Sequence, residues 1–411
     1  MRIGLVTVLL LFTHSAIAGE NWPQFRGPST DGSTDAADLP LIWSDTDGVK
    51  WKTAIHDRGW SSPVVWGGQI WLTTATADGK RMFAVCVDRD SGKVLHDVKL
   101  FDNEKPREIH KLNSYASPTP VIEAGRVYLH FGSYGTACLD TATAKVLWTR
   151  RDLPCNHFRG PGSSPILYGR LVIIHFDGFD HQYVVALDKT TGRTVWKTDR
   201  DVDYGTDNGD FMKAFCTPIV IEAAGRKQLI SPTSKAAISY DPDTGQELWK
   251  IRFRSFSATA RPLFGEGLVF VNTGFGKADL IAVRPDGTGD VTRTHVAWTA
   301  TKSVPSKTSQ ILHDGLIYMV HDAGVATCLE AATGRAVWSG RLGGNYSASP
   351  LLAPGRIYFF SQEGKTTVIK PGRKLEQLAV NQLDEGFMAS PAVSGGALFL
   401  RTKTQLYRME R

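Results

Sequence analysis

A short step, Ser or Thr followed by Pro, recurs along this chain, each time just ahead of a β-rich run. It stands at Ser62-Pro63, Ser117-Pro118, Ser164-Pro165, Thr217-Pro218 and Ser349-Pro350, and again at Ser390-Pro391. Degenerate copies at Arg261-Pro262 and Ser309-Gln310 complete a set of eight. The intervals are 55, 47, 53, 44, 48, 40 and 41 residues. A fixed period of about 40–50 residues built from short strands marks the blades of a propeller.

Each repeat reads as four strands. An apolar pair such as Val64-Val65 follows the step. A Gly-containing turn leads to an alternating strand such as Val127-Tyr128-Leu129-His130 or Ile357-Tyr358-Phe359-Phe360. A third strand ends in Asp, as in Val184-Val185-Ala186-Leu187-Asp188. A Thr-Gly turn then feeds a fourth strand ending in Trp196. Thr244-Gly245 with Trp249 and Thr333-Gly334 with Trp338 repeat the pattern, and Trp148 and Trp298 sit equivalently after degenerate turns. His96 replaces the Trp in the first repeat, and the seventh has none. The eighth repeat ends at Arg411 with room for about three strands. Val49-Lys50-Trp51-Lys52 looks like the missing fourth strand at the other end of the chain. An open array leaves unpaired edges, whereas a closed ring does not. The expectation is an all-β, eight-bladed propeller of four-stranded antiparallel blades, its last blade closed by the N-terminal strand at about residues 49–55.

Arg2, the apolar run Ile3–Phe12 and Ala16-Ile17-Ala18 form a secretory signal pattern. They predict a signal peptide over 1–18, a mature start at Gly19, an N-terminal extension over 19–47 and the propeller over 48–411. The expected location is periplasmic or secreted, with no transmembrane segment. The formal charge of +6 is dispersed, with no basic block that would suit nucleic acid. A closed ring leaves no edge strand demanding a second copy, so a monomer is expected. Of five cysteines, Cys86, Cys138 and Cys328 share one repeat position and read as small core fillers. Cys155 and Cys216 lie outside it, and a disulfide between them is left open.

The Leu-Asp-x-x-Thr-Gly-x-x-x-Trp pattern resembles the repeat of quinoprotein dehydrogenases and BamB-type outer-membrane assembly proteins, over about residues 48–411. Asn21-Trp22-Pro23-Gln24-Phe25-Arg26-Gly27-Pro28 is similar to the opening of exported PQQ-like propellers common in planctomycete bacteria. The resemblance implies that Trp51, Trp148, Trp196, Trp249, Trp298 and Trp338 dock neighbouring blades. It implies two functions. One is a binding scaffold in the cell envelope, whose partner is a protein, peptide or glycan. The alternative is a PQQ-dependent dehydrogenase oxidising an alcohol or sugar with PQQ and Ca²⁺. Such enzymes typically carry adjacent cysteines at the cofactor, and no two cysteines are adjacent here. No Gly-x-Ser-x-Gly elbow, zinc motif or phosphate loop is present.

Strand order sorts the loops between two faces. The Thr-Gly turns share one face. The links between blades share the other with the second-to-third-strand loops, and are longer and more polar there. Ligand-binding candidates on that second face are His110, Asn113 and Tyr115 before blade 2 and His157 and Arg159 before blade 3. Asp177 and Asp180 lie within blade 3, and Asp207, Asp210 and Phe211 before blade 4. The carboxylates suit either hard-cation ligation or Asx-turns in Gly-rich loops. His157 and Arg159 suit an anion or a tie between loops. No metal site is assigned, because Asp207-Asn208-Gly209-Asp210 does not match a calcium loop. Trp60, Phe158, Tyr346 and Phe387 are further candidate contact aromatics, and no catalytic residue is identified.

Overall fold

The computed structural model describes residues 21–411. The predicted signal peptide and the Gly19 start lie outside the described residues. Eight sheets follow one another around an axis, each antiparallel through its four main strands. Blade 1 comprises Val64–Trp66, Gln69–Ala75, Arg81–Asp88 and Val94–Asp102, innermost to outermost. The innermost strands of blades 2 to 8 are Val121–Glu123, Ile166–Tyr168, Ile219–Ala223, Leu263–Gly265, Ile311–His313, Leu351–Ala353 and Ala392–Ser394. Blade 4 carries a fifth, two-residue strand, Gly289–Asp290, parallel to its outer edge. Blade 8 is completed as expected: Val49–Ala54 pairs antiparallel with Gln405–Met409, with Ala54 opposite Gln405.

The recurring hydroxyl closes the ring. The backbone N–H of Ser62 donates to Thr119 Oγ1 at 3.0 Å, Thr119 to Ser164 Oγ at 2.9 Å, and Ser164 to Thr217 Oγ1 at 3.0 Å. Arg261 donates to Ser309 Oγ at 2.9 Å, Ser309 to Ser349 at 3.0 Å, Ser349 to Ser390 at 2.9 Å, and Ser390 back to Ser62 at 3.1 Å. The relay breaks once, after Thr217, where the next blade offers Arg261 and no hydroxyl. In blade 2 the step is therefore Thr119-Pro120, not Ser117-Pro118, and the first strand starts two residues after Thr119 as it does after Ser62. Ser117 instead donates to Asn113 Oδ1 at 2.6 Å, within the preceding loop.

The outer strands dock by their tryptophans. The indole N–H of Trp51, Trp148, Trp196, Trp298 and Trp338 donates to a carbonyl of the next blade at 2.9–3.1 Å. Trp249 departs, bonding Gln228 Oε1 of its own blade at 2.6 Å. The ring of Trp148 lies beneath the next turn so closely that a Cβ on Gly192 would meet it at 2.7 Å, and Gly192 also has φ +71°. Blade 1 presents His96 instead of Trp, and the facing turn of blade 2 has Ala144, at φ 55°, where the matching turns of blades 1, 3, 4 and 6 have Gly92, Gly192, Gly245 and Gly334. Loss of the indole and gain of a Cβ go together.

Residues 21–34 enter the channel and plug it. Trp22 and Val65 exchange both backbone hydrogen bonds at 2.8 Å, and Ile122 N–H donates to Pro23 O at 2.9 Å. Arg26 reaches the carbonyls of Pro350 at 3.0 Å and Gln310 at 2.6 Å, while Arg261 returns a bond to Phe25 O. These anchors lie on or immediately before the innermost strands. The chain then leaves past blade 7, where the Trp43 N–H donates to Asn381 Oδ1 at 2.8 Å, and enters the closing strand.

All five cysteines are free and buried, so Cys155 and Cys216 are not joined. Burial pushes their thiols up, those of Cys138 and Cys328 to about 12. No helix among the described residues is long and apolar enough to cross a membrane.

The Trp–Gly contact predicts an asymmetry. Gly192→Ala combines a left-handed backbone penalty with overpacking against Trp148 and lowers stability by about 3 kcal/mol. Ala144→Gly, with no indole above it, stays within about 1 kcal/mol. Denaturant unfolding of both variants reads the difference.

Candidate functional site

With one end of the axis plugged, the loop face holds a one-ended cavity of about 560 Å³, with Phe25 of the plug among its lining residues. Small-molecule sites span about 300–1,000 Å³. The lining comes from every blade, not blades 2 to 4 alone. Its deepest tier is the hydroxyl ring: Ser62, Thr119, Ser164, Thr217, Ser349 and Ser390.

Half of the sequence-predicted residues line this cavity: His110, Asn113, Arg159, Asp210 and Phe211. Asn113 holds its own loop to the next, its amide donating to the carbonyls of Arg159 at 2.8 Å and Pro161 at 3.1 Å. Asp210 sits at a one-turn 3-10 helix, Gly209–Phe211, set by Asn208 Oδ1 accepting from its N–H. Its carboxylate pairs with Lys213 at 2.7 Å and Arg159 at 3.3 Å. Phe211 meets Phe256 edge-on at 4.7 Å, and Phe256 meets Phe275 at 5.7 Å. Burial, reinforced by Arg159 and neighbouring lysines, lowers the His110 pKa.

The other five go elsewhere. Tyr115 is buried beneath its loop against Tyr134, its hydroxyl donating to Arg107 O at 2.6 Å. Asp180 accepts from Asn156 N–H at 2.6 Å, a loop tie, and Asp207 is exposed outside the cavity. Asp177 is buried and holds Arg200 through two 2.7 Å bonds. Beside it, Ser231 Oγ lies 2.9 Å from His175 Nε2, and His175 Nδ1 lies 4.0 Å from Asp177, which imitates a Ser-His-Asp relay. Arg200 also donates to Ser231 at 2.6 Å, so the carboxylate orients an arginine rather than the imidazole. All four groups are buried and fasten blade 3 to blade 4. His157 is half-buried against Phe176, with its enclosed Nε2 lacking a hydrogen-bond partner in the protein. Tyr346 and Phe387 are buried as well, whereas Trp60 joins the lining and Phe158 stays partly exposed over Phe179.

Sequence reading missed Lys213, Phe215, Phe256, Phe275, Lys307 and Asp322. They occupy the same class of loop, before blades 4, 5 and 6 or between second and third strands. A signal was available: Phe253-Arg254-Ser255-Phe256 and Phe275 are aromatics in turn-rich segments on the binding face.

Eight closed blades with a plugged axis and a one-ended cavity define the class: a propeller with a cavity on its loop face. A family model described as "Outer membrane protein assembly factor BamB" matches residues 38–213 and 180–411, and the chain belongs to that family of PQQ-like propellers. Among solved structures, BamB from Moraxella catarrhalis superposes with a TM-score of 0.63 at 12% identity, covering 88% of this chain and 99% of that one. A europium-containing methanol dehydrogenase gives 0.71 at 10%, covering 96% and 99%. The quinohemoprotein alcohol dehydrogenase from Comamonas testosteroni gives 0.67 at 12%, covering 97% and 81%. At such identities the likeness is one of fold. Among curated proteins no relative matches.

The fold is shared with enzymes that use PQQ, so the fit of that cofactor is a question for the lining. Among the described residues no three His, Cys, Asp or Glu gather to hold a metal. Both cavity carboxylates are engaged, Asp210 by Lys213 and Arg159, and Asp322 by the N–H groups of Ser306 at 3.0 Å and Lys307 at 3.3 Å. With no adjacent cysteines either, these residues do not fit the quinone-and-calcium set that the resemblance implies.

Burial lowers the His157 pKa to about 4 and that of His130 to about 3, against about 6.5 in an unfolded chain. The folded state thus prefers the neutral rings. Their contribution is fully present above about pH 6.5 and is lost as pH falls toward 4, amounting to about 2 kcal/mol at pH 5 for His157 alone. Melting temperature therefore drops from pH 6.5 to 4.5, and His157→Gln shows a shallower drop.

Proposed function

We propose that this protein is an exported binding module of the cell envelope, periplasmic or secreted, whose ligand or partner segment enters the loop-face cavity. The carrying observation is the one-ended cavity itself: the plug closes the axis behind it, and the loops of all eight blades converge on its mouth. A polar floor, an aromatic wall and a few placed charges are the usual composition of a recognition site. Envelope proteins, peptides and glycans are the candidate partners. Tyr115, His157, Asp177, Asp180 and Asp207 contribute by shaping loops, and Arg159, Asp210, Phe211, Asn113 and His110 by contact.

Envelope extracts passed over the immobilised protein test this. A Phe211→Ser/Arg159→Gln double variant, folded by thermal melting, should lose captured molecules that the unaltered protein retains, and an identical captured set would count against the cavity. Titration with PQQ and Ca²⁺ tests the alternative, a quinoprotein dehydrogenase. The expected result is no bound chromophore and no dye reduction with alcohols or sugars.

A further inference from the structure

The hydroxyl ring has a chemical consequence for the cavity. Each ring oxygen accepts an N–H from the neighbouring blade, at 2.9–3.1 Å. None of these hydroxyls donates to a protein acceptor among the described residues, although each has one proton to give. Six of the seven line the cavity, at 2–7% exposure. Each inter-blade bond occupies one of the two lone pairs of its hydroxyl and leaves the proton uncommitted, so this tier can donate to a ligand in the lumen.

The charged lining leans the same way. Three cations, Arg159, Lys213 and Lys307, stand against two carboxylates, Asp210 and Asp322. Lys213 is committed to Asp210 at 2.7 Å, to the Asp210 carbonyl at 2.8 Å and to Ser257 Oγ at 3.1 Å. Lys307 is held less tightly: its ammonium pairs with Asp322 Oδ2 at 3.7 Å, beyond hydrogen-bond range, while Asp322 Oδ1 accepts two backbone N–H groups. Arg159 meets Asp210 only at 3.3–3.4 Å. Cations and hydroxyl protons outnumber the carboxylates of the lining. Between Arg159 and Lys307 in chain order run Phe211, Phe256 and Phe275, with Phe275 60% exposed. A donor-rich cavity rejects ligands that mainly donate, because buried donors left without acceptors cost about 1–3 kcal/mol each.

We propose that the cavity takes a small oxyanion carried on an apolar body, with the anion at Lys307 and the ring hydroxyls and the body against the Phe211–Phe256–Phe275 wall. This rests on the reading above that the cavity is the binding site, and it names the chemistry bound there. Carboxylate and phosphate share that chemistry. Lys307 is the recognition residue, because of the three lining cations its ammonium alone forms no hydrogen bond within the protein among the described residues, only the 3.7 Å ion pair with Asp322.

The test titrates the full chain, by calorimetry and by NMR, with phenylacetate, phenyl phosphate and the neutral isostere phenylacetamide. At least one anion should bind about 10-fold more tightly than the amide, an advantage that shrinks with added salt. The tighter of the two anions identifies the head group. Lys307→Gln should bring anion and amide to within about 3-fold while leaving amide affinity and melting temperature unchanged. Should that variant melt early, Arg159→Gln and the salt dependence of the unaltered protein carry the same comparison. Amide binding as tight as the anions, or selectivity that survives in Lys307→Gln, overturns the oxyanion and leaves the cavity reading intact. Absence of binding by all three probes at millimolar concentration overturns the oxyanion, while the cavity reading stands or falls separately on the capture experiment above.

Discussion

A backbone N–H that finds its acceptor on the next blade is the bond on which the rest of this molecule depends. Within a blade, main-chain groups satisfy one another along the ladders. At the start of each innermost strand the chain turns inward to the axis, and there an N–H has no ladder partner. A buried donor of that kind must be met. A Ser or Thr one blade further round meets it, seven times in eight, and the last of these bonds returns to Ser62. Proline after the hydroxyl residue removes a second N–H that the same crowded place would have to satisfy. The recurring Ser-Pro step is therefore the inter-blade joint itself, and its single lapse at Arg261 coincides with a residue recruited to hold the plug.

The joint shapes the lumen. A hydroxyl that accepts sideways from the neighbouring blade keeps its proton to give, and it borders the cavity. Structural closure and the polarity of the binding floor thus arise from the same atoms. The plug completes the arrangement from below, because Arg26 and Arg261 find backbone carbonyls just ahead of the innermost strands rather than carboxylates. The two buried guanidinium groups are solvated by main chain, which makes residues 21–34 part of the axial core.

What was legible in the sequence follows how local each constraint is. Thr-Gly turns, terminal Trp residues and the split last blade depend on neighbours a few residues away or on the simple count of strands, and they could be read. The blade 2 step was misplaced by two residues because Ser117-Pro118-Thr119-Pro120 offers the pattern twice, and only the partner on blade 3 selects Thr119. Asn21–Pro28 was visible as a motif and silent as a plug, since its partners stand 40 to more than 300 residues away. The site divided evenly for a similar reason. Face assignment follows from strand order and picks out the correct loops, but whether a loop side chain points into the lumen or under its own loop depends on what lies beneath. Asp177 was drawn under by Arg200 and Tyr115 by the carbonyl of Arg107, neither of which sequence spacing reveals. The covariation of His96 with Ala144 shows how much packing a single chain can record: where the indole is absent, the turn accepts a Cβ.

The same scaffold is found in BamB from Moraxella catarrhalis and in alcohol-oxidising enzymes, so the fold decides little between binding and catalysis. The binding reading proposed above rests on the lining instead. Redox chemistry on a quinone with a metal needs free carboxylates gathered at one place, and this cavity spends its two on lysine, arginine and backbone N–H groups. Neutralised carboxylates, a surplus ammonium and a tier of hydroxyl donors suit a ligand that brings its own negative charge. In such a site the propeller's contribution is rigidity: seven inter-blade bonds hold the donors in place before any ligand arrives, so that little ordering remains to be done on binding.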